Sequence, residues 1–176
     1  MSTSIKGIKQ ITAFVIVVSV FFAFSNAGCG VYRFNDVSIP DTIKSIKINF
    51  IENRAPYVNP QLSASLTDRV KQKIINQTKL TSTNNDNAHW VLDGFISDYS
   101  VSTSGISNKE SVMNRLTVSV NIVLNKNLSN QKEEFLISRS FEFSANSSLQ
   151  AAEGRLLDEM VKTLTDDIFN RLFSEW

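Results

Sequence analysis

The chain has 176 residues, with 18 Lys or Arg against 17 Asp or Glu, one His and one Cys. Without residues 1–28, which hold Lys6, Lys9 and no acid, 148 residues remain with 16 basic and 17 acidic side chains. That balance lacks the basic excess of a nucleic-acid binder and the high net charge of a disordered tail. One Cys excludes an intrachain disulfide framework and a cysteine-built zinc site, and one His excludes sites that need two imidazoles. The length suits one domain with one core.

Lys6 and Lys9 form a positive n-region, and Ile11–Phe24 is an apolar run of h-region length. Ser25-Asn26-Ala27-Gly28-Cys29 follows. Small residues directly before a cysteine are what a bacterial lipoprotein signal requires. The thiol must meet the membrane surface to receive a diacylglyceryl group, and the peptidase must close on the Gly28–Cys29 bond. Asn26 stands where the common pattern has Leu. A retained transmembrane anchor competes with this reading, because Gln10–Tyr32 is uncharged and long enough to span a bilayer. The short hydrophobic core, its small polar end and the position of the single cysteine favour the lipoprotein. Residues 1–28 are therefore expected to be a signal peptide. Cys29 is expected to carry lipid, at roughly 0.8 kcal/mol of anchoring per buried methylene. Residues 29–42 then form a tether, reaching roughly 40 Å at most when extended. Gly30 rather than Asp after the cysteine favours passage to the outer membrane.

Residues 43–176 carry the periodic patterns of a single domain. Ile43–Ile51 places Ile46, Ile48 and Phe50 on one face and Lys47 and Asn49 on the other, which predicts a strand. Glu52–Pro60, with two prolines and two asparagines, predicts a loop. Asn59-Pro60 is a helix start, since Asn caps well and Pro suits the first helical position. Leu62, Leu66, Val70 and Ile74 form one stripe, and the helix should end near Gln77.

Trp90–Val101 predicts a strand, with Gly94 marking a bulge or the close approach of another backbone. Ser102–Lys109 is a loop. The clearest alternation follows, from Val112 through Leu116, Val118, Val120 and Ile122 to Leu124, between polar residues. Asn127–Lys132 is a turn. Phe135, Ile137, Phe141 and Phe143 share a face with Arg139, a charge that needs a partner or an edge position. Ser147-Ser148-Leu149-Gln150 resembles a capping box. Leu149, Ala152, Leu156, Met160, Leu164, Ile168 and Leu172 then recur at helical spacing, widened by Leu157, Val161 and Phe169. The expected fold is α+β, a two-layer sandwich in the order βαβββα. A four-stranded, mainly antiparallel sheet carries both helices on one face. There are no internal repeats or low-complexity segments.

Catalytic patterns are absent. A nucleophile–base pair would have to use His89, and an acylated Cys29 would be unavailable to it. The six glycines are scattered, so no phosphate loop forms. Asp158-Glu159 and Asp166-Asp167 read as the solvated face of a helix. Asp93 and Asp98, five apart on one regular strand, would point to opposite faces. No enzyme activity, metal or cofactor is expected beyond covalent lipid on Cys29.

Four stretches resemble the LptE-like family of lipopolysaccharide-assembly lipoproteins, in its Bacteroidetes-type form. They are Gly28–Phe34, Asn53–Pro56 with Val58-Asn59-Pro60, Asn114–Val118, and Asp167–Asn170 with Trp176. The resemblance covers most of the chain after Cys29 and shares the element order. It implies an outer-membrane lipoprotein that sits as a plug inside the large β-barrel LptD, facing the periplasm. The pair would insert lipopolysaccharide into the outer leaflet, and the lipoprotein would assist barrel assembly.

Thr117, Ser119 and Asn121 suit a polar contact surface inside a wet barrel. Lipid A phosphates would need cations, for which Arg115 is the first candidate and Arg54, Arg69, Lys71 and Lys73 follow. The alternative is a periplasm-facing lipoprotein that binds a small ligand or soluble protein without a barrel.

Overall fold

The computed structural model describes residues 39–104 and 113–173. The expectations for the signal peptide, Cys29, most of the tether, most of the Ser102–Lys109 loop, Val112 and Trp176 lie outside the described residues.

The alternation around Val120 becomes β5 (Met113–Lys126), the central long strand. Leu116, Val118, Val120, Ile122 and Leu124 are fully buried, and the residues between them face the other way. β5 pairs antiparallel with β4 (Trp90–Ser104) and with β6 (Gln131–Ser144). Leu92 stands opposite Leu124, and Val120 stands opposite both Ile96 and Ile137. The β5–β6 turn uses Asn130 at φ 51°, a left-handed conformation that Asn tolerates.

The first half of the domain winds onto the other edge of β4. β1 (Ser45–Ile48) and β2 (Glu52–Asn53) each pair parallel with β4. α1 (Pro60–Gln77) crosses back over the sheet, and β3 (Thr81–Ser82) pairs parallel with β1. The order is β3-β1-β4-β5-β6, with β2 also on β4. The expected four-stranded, mainly antiparallel sheet is thus corrected to a six-stranded mixed one. A helical crossover returns the chain in its original direction, so the strands it joins are parallel. β2 and β3 are two residues each, too short to show periodicity.

β1 also ends earlier than expected. The chain turns out at Asn49 and Phe50, leaving Phe50 55% exposed, and Ile51 takes the core position instead. The Ile51 N–H donates to the buried Thr67 hydroxyl of α1 at 3.0 Å.

Asn59 caps α1 as its position implied, its Oδ1 accepting from the N–H groups of Gln61 and Leu62 at 3.1 and 3.2 Å. Leu62, Leu66, Val70 and Ile74 are buried. α2 (Leu149–Phe173) buries Ala152, Met160, Leu164 and Ile168. Its cap is Ser148, which accepts from Ala151 at 3.3 Å. Ser147 instead receives Arg155 at 2.8 Å, so the cap lies one residue later than expected and Ala151, not a Glu or Gln, stands at the third helical position. Both helices join one continuous core with a single face of the sheet. Each fully buried Leu or Ile there contributes about 1.5–3 kcal/mol.

Gly94 is the close approach that its place in a strand suggested. A Cβ there would lie 2.8 Å from Ile122 Cδ1 and 3.1 Å from the Asn121 carbonyl oxygen. The bulge falls further on, between Ile96 and Asp98. It resets the alternation, so Asp93 and Asp98 lie on one face, opposite Val123 and Ser119. The opposite-face expectation held only for a regular strand.

Arg139, on the inner side of edge strand β6, finds its partner in Asp167 of α2. Its NH2 group lies 2.8 Å from Asp167 Oδ1, with a second contact from Nε. The Asp167 hydrogen bond and charge raise the guanidinium pKa above its ordinary value.

Candidate functional site

The sheet face away from the helices is built mostly from short polar side chains that satisfy one another across strands, with Leu136 as an exposed apolar residue among them. On β5 and β6, Arg115 meets Glu142 at 3.2 Å. The Thr117 and Ser140 hydroxyls lie 3.0 Å apart, and those of Ser119 and Ser138 2.9 Å apart. All three pairs are directly opposite in register. Asn121 donates to Glu134 at 3.1 Å. Such pairs contribute roughly 0.2–1 kcal/mol each, so the face is ordered without burying apolar surface.

Further along the same face, Asp93 is held between two amides. Asn49 Nδ2 donates to its Oδ1 at 2.7 Å, and Asn125 Nδ2 to its Oδ2 at 3.1 Å. Arg54 donates from Nε and Nη2 to one oxygen, Oε2, of Glu52 at 3.1 and 2.9 Å, with its guanidinium 4.6 Å from the Phe95 ring centroid. Sequence patterning missed this cluster because β2, which presents Glu52 beside Phe95, is only two residues long.

The five candidate cations do not converge. Arg115 stands opposite Ser102 at one end of β4, seven residues from Phe95, over which Arg54 lies. That is about 20 Å along a strand. Arg69, Lys71 and Lys73 are on α1 in the other layer. Lys73 is engaged, 2.5 Å from Asp166 and 5.0 Å from the Phe169 ring centroid. Arg69 is exposed and Lys71 half-buried, and neither meets a carboxylate within 4.0 Å among the described residues.

His89 is a structural link. Its Nδ1 accepts the Lys44 N–H at 3.0 Å, and its own N–H donates to the Ser45 hydroxyl at 3.1 Å. Nearby, the hydrogen bond and charge of Lys47 hold the Asp86 carboxyl below its usual range. A second polar link joins both helix starts to β4. Tyr99 donates to Glu153 at 2.8 Å and receives Asn59 Nδ2 at 3.4 Å. Tyr57 stacks on Tyr99 with centroids 5.4 Å apart. Burial, with help from Glu153, raises the Tyr99 hydroxyl pKa above the ordinary tyrosine range. Among the described residues no cluster of three His, Cys, Asp or Glu could hold a metal, and no helix is long and apolar enough to cross a membrane.

Comparison with known proteins supplies what the site chemistry leaves open. No curated protein sequence matches the chain. A protein described as a neuraminyllactose-binding hemagglutinin homolog from Helicobacter pylori superposes with a TM-score of 0.57. It is 11% identical and covers 77% of this chain and 88% of its own. That likeness is one of fold alone. A minor lipoprotein from Acinetobacter baumannii follows at 0.46 and 14% identity, over 76% and 92% of the two chains. The rare lipoprotein B from Shewanella oneidensis gives 0.40 and 16%, over 73% and 90%. The decisive match is to the LptE family, described as lipopolysaccharide-assembly, over residues 43–172. With nearly the whole described fold inside that match, the chain belongs to the LptE family.

Proposed function

We propose that this protein is a non-enzymatic outer-membrane lipoprotein that partners a large LptD-like β-barrel in inserting lipopolysaccharide into the outer leaflet. Family membership over residues 43–172 carries the reading. The sheet face supports it physically. A domain seated in a water-filled lumen meets polar surroundings on several sides, and a hydroxyl-rich, charge-paired face tolerates contact with water and with a polar wall alike. In this reading the contact runs over Arg115, Thr117 and Ser119 with their partners on β6. Arg115 can exchange Glu142 for a barrel carboxylate or a lipid phosphate, because exposed ion pairs are weak. Arg54, Arg69, Lys71 and Lys73 remain secondary contacts. Cys29 carries the lipid that holds the domain on the periplasmic side of the outer membrane.

Affinity purification of tagged protein from outer membranes in mild detergent, with mass spectrometry, tests the partnership. A stoichiometric large β-barrel is expected. Recovery of the folded lipoprotein alone would overturn the reading and favour a barrel-free ligand-binding role. Metabolic labelling with a fatty-acid analogue is expected to mark the protein and not its Cys29→Ala variant. Equal labelling of the two would contradict lipidation at this residue.

A further inference from the structure

The polar sheet face opens into a groove at the end away from Arg115. A cavity of about 640 Å³ is lined by Phe50, Arg54, Asp93, Phe95, Val123 and Asn125 among others. A second, of about 270 Å³, continues toward the β5–β6 turn over Asn127, Asn130 and Gln131. Asn125 and Lys132 line both.

Three features of this groove narrow its ligand. First, it combines aromatic rings with a polar floor. Phe50, pushed outward by the end of β1, is more than half exposed, and Phe95 and Val123 line the same cavity beside Asn49, Asp93 and Asn125. Second, the charges that line the larger cavity are already answered: Arg54 pairs with Glu52, Lys132 lies 3.6 Å from Glu134, and Asp93 holds two amide donors. A charged ligand would have to break one of these pairs, and a neutral one would not. Third, donors and acceptors stand side by side. Asn49 and Asn125 each give a hydrogen to Asp93, and no donor reaches their Oδ1 atoms among the described residues. Each amide oxygen therefore remains to accept, and Asp93 keeps a second lone pair on each oxygen.

An uncharged ring with an apolar C–H face and hydroxyls that both donate and accept satisfies all three conditions. We infer that this groove binds neutral saccharide units, with the exposed Phe50 against the ring face, Phe95 at the cavity wall under Arg54, and Asp93, Asn49 and Asn125 on its hydroxyls. Its two adjacent cavities, which share Asn125 and Lys132, suit more than one ring. The inference is independent of the barrel partnership, because neither its residues nor its test involves a second protein.

The test is NMR titration of the full chain in a sugar-free zwitterionic detergent, with maltotriose, triacetylchitotriose and a galactotriose as probes and inorganic phosphate as the control. At least one trisaccharide is expected to give saturable shifts at the side-chain amides of Asn49 and Asn125 and at the rings of Phe50 and Phe95. Phe50→Ala, at an exposed position, is expected to keep the fold and weaken binding about tenfold by loss of a stacking face. Asn125→Ala provides a second variant on the hydroxyl-binding side, with the same expected loss. No saturable shift at these residues with any of the three sugars would overturn the inference. So would shifts with phosphate instead, or sugar binding undiminished in both folded variants.

Discussion

The two faces of β5 come from one alternating run and behave as different materials. The inward set, Leu116 to Leu124, is fully buried and takes its stability from area removed from water. The outward set, Arg115 to Asn125, takes its order from neighbours across the strands, one short side chain answering another. An apolar face specifies the fold and tolerates little. A self-satisfied polar face contributes little to stability and is free to be exchanged for contacts with a partner. Strand period alone produces both, so the polar face of β5 is as legible as its buried one.

Substitutions that put the wrong chemistry on the inner side should have the largest effect. Leu164→Asp and Leu66→Asp each bury an unpaired charge and are expected to cost more than about 4 kcal/mol, measured by urea unfolding. Unchanged stability would break the assignment of both helices to the core. Gly94→Ala is expected to cost about 1–3 kcal/mol, because its methyl must displace Ile122 against fixed backbone. Tyr99→Phe removes one hydrogen bond to Glu153 and should cost about 1 kcal/mol. It should also alter the alkaline behaviour. The folded state holds the Tyr99 proton above the ordinary tyrosine range, whereas the unfolded chain releases it near about pH 10. That stabilisation is complete below about pH 10 and is lost as pH rises further. Tyr57 shifts in the same direction, by burial first and Glu153 second, so the variant should show a shallower decline and not a flat one. Smallest of all is Arg115→Ala on the outer face, expected to change stability by less than about 0.5 kcal/mol while lowering barrel recovery in the purification.

Much of the fold was readable because its long elements carry strong periods. Asn59-Pro60 marked the first residues of α1, and the stripe from Leu62 to Ile74 marked its buried side. The need of Arg139 for a partner was visible, though Asp167 was not, because a helix residue that meets an edge strand depends on how the layers cross. The kink at Phe50, the two-residue strands and the bulge before Asp98 left no periodic trace. The kink at Phe50 and the two-residue β2 bring Asn49, Phe50 and Arg54 beside Asp93 and Phe95, so the groove could not be read from the chain. The cations on α1 and the sheet were legible as charges, and their separation into two layers was not.

The most direct test of the central contrast is photo-crosslinking in living cells from sites on each layer. A crosslinker at Thr117 or Ser140 samples the polar sheet face, and one at Gln72 samples exposed helix surface. Adducts with a large outer-membrane β-barrel from Thr117 and Ser140, stronger than any from Gln72, are the predicted result. Adducts from Gln72 alone, or none from any site at normal expression, would contradict the assignment of the sheet face as the partner surface.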